Sequence, residues 1–322
     1  MTVSHRRAFL KTAAAVSLTA TGLGLRPRRA VAQAQKPQRK FTLDLACGAI
    51  GVEADPREAI RLAARFGFES VDPSGEFLAR LSDAELDALL AEMKAKNLVW
   101  GAAGLSVNFR GDDSQFKASM LRLPEVAQGL QRAGAGRVGT WLSPCHRSLT
   151  YLANFRQHAR RLREVAKVLG DFGLRFGMEY VGPKTSWTAA QYPFIHTLAE
   201  TKDLIAEIGR DNVGVVLDSW HWYNARETET DLLTLTNRDV VACDLNDAPA
   251  NVPIDQQRDG VRDLPCATGV VDLKAFLGAL VQIGYDGPVR AEPFSRSLRA
   301  MPNAEALAAT VGAMQKAFAL VQ

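Results

Sequence analysis

Four acidic residues end four consecutive apolar runs in the second half of the chain. Glu179 ends the run 175–179 and Asp218 the run 213–218, while Asp244 and Glu292 end two later runs. If these runs are parallel strands, their carboxyl ends share one edge, so the four side chains should converge. Each pair of carboxylates about 4 Å apart repels by roughly 4 kcal/mol at an effective dielectric near 20. A cation or shared protons must therefore occupy the site, and oxygen donors favour Mn²⁺ or Mg²⁺.

Such a site suits the removal of a proton next to a carbonyl group. A cation bound to the carbonyl and a neighbouring hydroxyl stabilises the resulting enediolate, and two carboxylates can take and return the proton. Indole rings pack well against the C–H faces of sugars. Several polar and aromatic residues follow the same runs. The substrate-binding residues that we predict from them are His221, Trp141, Trp187, Lys184 and Arg262.

The elements that must position these residues alternate regularly from residue 41 onward. Eight short apolar or β-branched runs, each followed by a helical pattern, occupy about 285 residues, which predicts an α/β fold, the (β/α)8 TIM barrel, over residues 41–322. A doubly wound sheet is the alternative, but no GxGxxG or GxxxxGK[ST] motif follows any run. The connection 247–265 is long enough to be a lid or a disordered loop. The predicted strands are 41–46, 70–72, 98–105, 137–142, 174–180, 213–218, 240–245 and 288–292.

Motifs between residues 174 and 294 resemble the sugar phosphate isomerase/epimerase family, which has the xylose isomerase-like TIM-barrel fold. They are Met178-Glu179, Leu217-Asp218-x-x-His221, Leu245-Asn246-Asp247-Ala248 and the segment GYDGPVRAEPF at 284–294. The resemblance implies one divalent ion held by Glu179, Asp218, Asp244 and Glu292. It also implies that Glu179 and Glu292 serve as the catalytic acid/base pair, with His221 beside the substrate.

The sequence departs from the family pattern at one of these positions. The family's His-x-x-Asp turn is here Asp244-Leu-Asn-Asp247. Aspartate can bind a hard cation, but it raises the charge of the ligand set to −4. We expect a weaker preference for Zn²⁺ or Co²⁺, or one protonated carboxyl. A non-catalytic relative with weak metal binding is the alternative.

The first 32 residues carry six basic side chains and no acidic one. The segment 4–11, SHRRAFLK, resembles the bacterial twin-arginine export signal, and a short apolar run and the sequence Ala30-Val31-Ala32 follow it. We therefore predict a signal peptide over 1–32, a linker over 33–40, export through the twin-arginine machinery to the periplasm, and no stable membrane insertion. An anchored N-terminal helix or a basic tail is the alternative.

Charge and composition limit the partners of the remaining chain. Without the leader there are 33 basic and 35 acidic residues, so a nucleic-acid partner has no electrostatic support. A barrel like that of endonuclease IV, which would require a histidine-rich site, is disfavoured by five histidines. The four scattered cysteines predict free thiols. We expect a small carbohydrate as the substrate and leave a homo-oligomer open.

Three functions remain compatible with these residues. The first is a sugar isomerase or epimerase acting by proton transfer. The second is a lyase or hydrolase that eliminates the leaving group of a 3-keto-glycoside, and the superfamily also includes dehydratases of keto-inositols. The third is a non-catalytic sugar-binding barrel.

Overall fold

The computed structural model describes residues 38–322, which form a closed barrel of parallel strands. The predicted leader and most of the predicted linker lie outside these residues. The barrel strands are β1 (Thr42–Leu45), β2 (Ser70–Val71), β3 (Val99–Trp100 and Ala103–Gly104), β4 (Arg137–Trp141), β5 (Arg175–Glu179), β6 (Val213–Asp218), β7 (Val240–Leu245) and β8 (Pro288–Ala291).

The third strand is interrupted, and the barrel closes through it. Val99–Trp100 pairs with β2, whereas Ala103–Gly104 pairs with β4. The other neighbours run in order from β2 through β1, β8, β7, β6 and β5 to β4. All eight predicted strands are present, so the predicted TIM barrel is confirmed.

Helices follow the strands and cover the outside of the barrel. They are α1 (Pro56–Phe66), α2 (Gly75–Arg80), α3 (Asp83–Ala95), α4 (Asp113–Met120), α5 (Leu123–Arg132), α6 (Tyr151–Asp171), α7 (Lys184–Trp187), α8 (Leu198–Ile208), α9 (Ser219–Asn224), α10 (Glu229–Leu232), α11 (Leu273–Gln282), α12 (Arg296–Arg299) and α13 (Asn303–Phe318). Short 3₁₀ turns lie at Cys47–Ile50, Ile254–Gln256 and Ala319–Val321. None of the helices within residues 38–322 is both long and apolar enough to cross a membrane.

Local sequence signals explain where the long helices begin and end. Asp55 caps α1 by accepting a hydrogen bond from the backbone N–H of Glu58, and Gly67 ends the helix with φ 80°. Ser82 and Glu85 form a capping box at the start of α3. The helices α1 and α3 therefore begin where these signals place them.

The register of the central strands brings the acidic residues together. Asp218 of β6 lies beside Asp244 of β7, and Asp244 lies beside Arg290 of β8. Every residue of β6 and β7 is buried, as expected for strands packed between the barrel interior and a layer of helices. The carboxyl ends of β5 to β8 therefore present their polar residues to one pocket.

Small side chains inside the barrel leave room below this pocket. Ala102, which lies between the two parts of β3, forms a small cluster with Val216 of β6 and Ala242 of β7. At Gly177 a Cβ atom would lie 2.7 Å from Val241 and 2.9 Å from Val216, so only glycine fits there. The interior is packed tightly at Gly177 and stays open above the small cluster.

The long connection after β7 is folded over the barrel mouth. Asp247 is buried, and its carboxylate accepts hydrogen bonds from the backbone N–H groups of Ala248, Thr268, Gly269 and Val271 at 2.7–3.0 Å. Backbone hydrogen bonds also join residues 247 and 263 in both directions. We predicted that this connection is either a lid or a disordered loop, and in the structure it is an ordered segment over the barrel mouth.

Candidate metal centre

The four predicted ligands meet at the mouth of the barrel. One oxygen from each of Glu179, Asp218, Asp244 and Glu292 lies within 4.8 Å of the others. His221 forms a second, overlapping group with Glu179 and Asp218 within the same limit. The convergence expected from the ends of four consecutive strands is therefore present in the structure.

Burial and mutual repulsion favour the protonated form of these carboxyl groups and raise their pKa values. Burial, followed by repulsion from Glu292 and Asp218, raises the pKa of Glu179 well above its ordinary value. Burial, followed by repulsion from Asp244, raises the pKa of Glu292 to about 8. Burial also raises the pKa of Asp244. The protein alone does not stabilise all of these groups in the charged form.

One oxygen in the cluster has no partner among the described residues. Oε1 of Glu179 is buried and accepts no hydrogen bond from residues 38–322. An unpaired buried oxygen is costly, and a cation would satisfy it. Together with the short separations and the oxygen-rich donor set, this shows that the residues fit a single divalent ion.

Asp218 is held firmly by the local backbone. It caps α9, and its Oδ1 accepts hydrogen bonds from the N–H groups of Trp220 at 2.6 Å and His221 at 3.3 Å. The side-chain amide of Asn246 donates to both carboxylate oxygens at 3.0–3.1 Å. These contacts fix the direction in which Asp218 presents its oxygens.

Arg262 reaches the cluster from the folded connection after β7. Its Nη1 donates to Asp218 at 2.8 Å and to the carboxylate of Glu292 at 3.2 Å, and its Nη2 donates to Asp259 at 2.7 Å. The side chain is buried, and these acids raise its pKa despite its desolvation. Arg262 therefore remains positively charged beside two of the four acids.

Asp244 is paired with a second arginine. Both of its oxygens accept hydrogen bonds from Arg290, one from Nε and one from Nη2 at 3.1 Å, while Nη1 of Arg290 contacts Asp72 at 3.1 Å. Four ionised acids beside the guanidinium groups of Arg262 and Arg290 leave a formal charge of −2. One divalent ion matches this charge, so the extra acid at 244 is compensated within the protein.

His221 lies beside the cluster as a neutral ring. Burial lowers its pKa to about 4. Its Nδ1 lies 3.3 Å from the backbone N–H of Gly182, and its Nε2 lies 3.3 Å from Nη2 of Arg262, so a donor group faces each ring nitrogen. Nε2 lies 3.8 Å from Asp259. His221 is therefore held between the backbone of Gly182 and Arg262, at the edge of the cluster.

Two cavities border the cluster. The smaller, of about 250 Å³, is lined by Arg110, Trp141, Glu179 and Glu292 and rests on Ala102, Val216 and Ala242. The larger, of about 430 Å³, lies toward β1 and β2 and is lined by Asp72, Arg290, Glu292, Phe294 and Arg299, among others. Arg290 and Glu292 border both, so a ligand in either cavity would touch the same end of β8.

Of the other three residues predicted to contact substrate, one lines a cavity beside the cluster and two do not. Trp141 lines the smaller cavity, and its side chain is 47% exposed. Lys184 instead forms an ion pair with Asp255 at 3.0 Å. Trp187 stacks on His196, with 4.8 Å between the ring centroids. Neither Lys184 nor Trp187 lines either of the two cavities.

Sequence analysis overlooked three residues of this site. Arg290 stands two positions before Glu292 in a strand, so both face the same side, and this spacing could have indicated it. Asn246 follows Asp244 by the same interval. Arg110 lies in the loop between β3 and α4, where no periodic pattern marks it.

Comparison with known proteins gives the same fold and family. The profile of the xylose isomerase-like TIM barrel family matches residues 60–317. An inosose isomerase from Bacillus licheniformis is 28% identical over 134 residues, which are 41% of this chain and 45% of that protein. The alignment thus spans about half the length of this relative.

Two solved structures resemble the whole barrel. A xylose isomerase domain protein from Alicyclobacillus acidocaldarius has a TM-score of 0.75 and 31% identity, covering 87% of this chain and 98% of its own. The IolI protein with a bound zinc atom has a TM-score of 0.72 and 19% identity, covering 88% and 99%. The family profile spans most of the chain, and the chain therefore belongs to the xylose isomerase-like TIM barrel family.

Proposed function

We propose that this protein is a divalent-metal-dependent sugar isomerase or epimerase. The observation that carries the proposal is the convergence of four carboxylates, one of them with a buried and unsatisfied oxygen, at the mouth of a TIM barrel. The similarity to an inosose isomerase supports an isomerase, and the zinc atom of the IolI protein supports a divalent ion. Oxygen donors favour Mn²⁺ or Mg²⁺ in this chain.

We propose that Glu179, Asp218, Asp244 and Glu292 hold the ion. When bound, the ion would supply positive charge that stabilises the negative charge developing on the substrate oxygens. Glu179 and Glu292 both line the smaller cavity and come from strands that are not neighbours. They are therefore able to approach one substrate carbon from different directions.

The protein groups have distinct tasks in this proposal. One of Glu179 and Glu292 removes the proton next to the substrate carbonyl, and the other delivers a proton to complete isomerisation or epimerisation. His221 and Arg262, whose Nε2 and Nη2 atoms lie 3.3 Å apart, contact substrate oxygens and orient them. The lid formed by the connection after β7 carries Arg262 and limits the access of water.

The test is proton exchange at the substrate carbon. In D₂O with Mn²⁺, the protein should incorporate deuterium into a ketose substrate, detected by NMR across a panel of free sugars. We expect Glu179→Gln and Glu292→Gln each to slow this exchange by about 100-fold or more, since general acid–base groups contribute this much. Glu164→Gln, an exposed change on α6, serves as the control. Full exchange in either active-site variant with metal still bound would exclude the pair.

The elimination of a 3-keto-glycoside is the second candidate function. The larger cavity borders Glu292 on the side away from Trp141 and leaves space for a leaving group. A carboxylate would take the proton beside the keto group, a C=C bond would form, and the glycosidic oxygen would leave with a proton. Release of the aglycone from a 3-keto-glucoside distinguishes this reaction from epimerisation. Metal binding without turnover on either substrate would indicate a sugar-binding protein.

We also propose that residues 1–32 direct export by the twin-arginine route to the periplasm. The proposal rests on the segment 4–11 and the positive charge of the leader. Replacing Arg6 and Arg7 together by lysine should leave the full-length precursor in the cytoplasm of the expressing bacterium. Fractionation followed by immunoblotting measures this, and unchanged export of the double variant would rule out the signal.

A further inference from the structure

Arg110 forms part of the wall of the smaller cavity without belonging to the acidic cluster. Its Nη2 donates to Oγ1 of Thr140 at 3.0 Å and to the backbone carbonyl of Trp141. The centre of its guanidinium lies 3.9 Å from the centroid of the Trp141 ring and 4.3 Å from that of Phe109. Trp141 is the register partner of Glu179, so Arg110 is attached to the strand next to the candidate ligand.

The charge of Arg110 lacks a close partner. Within residues 38–322 no carboxylate lies within ion-pairing distance of its guanidinium, and its Nε is buried without a hydrogen bond. Burial lowers its pKa to about 10, and the one opposing influence is the more distant charge of Glu179. Arg262 and Arg290, in contrast, are each paired with at least two acids.

Metal binding at the cluster would leave this charge more isolated. In the proposed function Glu179 shares its negative charge with the ion, so it no longer balances Arg110. A half-buried guanidinium with free donors, facing a cavity, then favours an anion. Nη2 already donates to Thr140 and Trp141 and Nε is buried, so Nη1 is the nitrogen left to bind an anion, and the single positive charge of the guanidinium balances that of one carboxylate.

The loop that carries Arg110 is fastened to the barrel on both sides of this residue. Arg161 of α6 is 2% exposed, and its Nη1 donates to the carbonyl oxygens of Phe109 at 2.8 Å and Gly111 at 2.7 Å. Its Nη2 donates to Asp113 at 2.6 Å. The backbone that presents Arg110 is therefore held in place before any ligand binds, which lowers the cost of ordering it.

We propose that Arg110 binds the carboxylate of a sugar acid, making the substrate of this enzyme a carboxylated sugar. The inference rests on the proposed function, because it assigns the remaining part of the substrate to the metal centre. A cavity of about 250 Å³ fits a ligand of monosaccharide size. Trp141 packs against the sugar ring while Arg110 holds the carboxylate.

The test is a binding experiment that does not require turnover. Calorimetric titration of the Mn²⁺-loaded protein compares D-glucuronate, D-glucose and D-glucose 6-phosphate. We expect glucuronate to bind about tenfold or more tightly than glucose, since a hydrogen bond to a charged group contributes that much. Arg110→Gln should abolish this preference, so that glucuronate and glucose bind with similar affinity. Arg156→Gln removes an exposed arginine of α6 that lines neither cavity, and it should retain the preference.

The outcomes separate this inference from the proposed function. Equal affinity for glucuronate and glucose in the unaltered protein overturns it, even if Arg110→Gln does not fold. The same follows if the preference persists in Arg110→Gln. Tighter binding of glucose 6-phosphate than of glucuronate overturns the carboxylate assignment. Arg110-dependent binding without deuterium exchange would uphold the acid-binding site and reject the isomerase.

Discussion

Asp244 differs from the residue usual at its position in the family, and Arg290 compensates for the difference. The two side chains lie at paired positions of neighbouring strands and form a two-pronged ion pair. In the proposed function the acid at 244 would supply a ligand oxygen, and the guanidinium of Arg290 offsets its charge. With an aspartate at 244, all four candidate ligands offer hard carboxylate oxygens, and such donors favour Mn²⁺ or Mg²⁺ over Zn²⁺.

The replacement of Asp244 by histidine tests this compensation. We expect Asp244→His to retain metal and to shift its preference toward Zn²⁺ or Co²⁺, because imidazole is the softer ligand. The double variant Asp244→His, Arg290→Met should bind these ions more tightly than the single variant. In the single variant Arg290 keeps its charge near the ion, with Asp72 as its remaining partner.

Metal content after dialysis and competitive titration would measure both effects. Retention of metal with an unchanged preference for Mn²⁺ or Mg²⁺ over Zn²⁺ in both variants would show that position 244 is not the third ligand. Equal affinity in the single and double variants would show that Arg290 does not influence the ion.

At the residue scale, the sequence predicted the acids better than the residues around them. Glu179 and Asp218 end strands, and the end of a strand in a barrel has a known location. Arg110 could not be assigned in this way because its position depends on the fold of an irregular loop. Lys184 was expected at the pocket from its place in the chain, yet its side chain reaches Asp255 in a different loop.

At the scale of elements, the loop between β3 and α4 depends on one buried arginine of α6. Arg161 is the donor for two loop carbonyls and for Asp113. Its neighbour Arg160 is 60% exposed in its side chain and lies 3.6 Å from the same aspartate. The two arginines thus share an acidic partner but differ in burial.

The replacement of each by methionine should therefore have unequal effects. Arg161→Met leaves two carbonyl oxygens without their donor, and we expect it to lower the free energy of unfolding by about 2–4 kcal/mol. Arg160→Met should change it by less than about 1 kcal/mol, as is usual for exposed ion pairs. Urea denaturation followed by circular dichroism measures both. Similar losses in the two variants would contradict the assignment.

The long helices could be predicted from the sequence, whereas the short ones could not. The capping box of Ser82 and Glu85 marks the start of α3 in the sequence, and Pro124 lies in the first turn of α5, where proline is tolerated. The four-residue helix α7 and the six-residue helix α9 were not predicted. Such short helices have too few turns for a periodic pattern, and their caps depend on tertiary contacts such as those of Asp218.

At the scale of the whole molecule, acid stability depends on a buried histidine outside the active site. His158 of α6 is 4% exposed and packs between the rings of Phe109 and Phe194. Burial lowers its pKa to about 4, and the charges of Arg110 and Arg161 act in the same direction. In the unfolded chain a histidine titrates near pH 6.5. Its neutral form therefore stabilises the fold above that pH.

This stabilisation is lost as the pH falls from about 6.5 to about 4, because the unfolded chain takes up the proton first. We expect His158→Phe to reduce the loss of stability between pH 7.5 and pH 4.5 by about 2 kcal/mol. Chemical denaturation of both proteins at the two pH values measures this. An identical pH dependence would mean that His158 is not the group responsible.

The barrel itself could be predicted because its signal is distributed over the whole chain. Eight apolar runs separated by helical patterns leave few alternatives, even if single boundaries are displaced by a residue or two. The interruption of β3 could not be predicted, since it includes Gly101, whose close approach to Asp44 of β1 is visible only in the folded structure. The described cysteines are free, as expected, although only Cys243 is fully buried.

The close approach of Gly101 to Asp44 couples two positions that are far apart in the chain. A Cβ atom at residue 101 would lie 2.6 Å from Oδ2 and 2.7 Å from Cγ of Asp44, whose side chain is buried. Gly101→Ala should therefore destabilise the protein by about 1–3 kcal/mol, and the added change Asp44→Ser should recover part of the loss in thermal denaturation. Strictly additive losses would show that the two positions are independent. Among relatives, the two sites should covary: a lineage that gains a side chain at 101 must first, or simultaneously, give up the acid at 44.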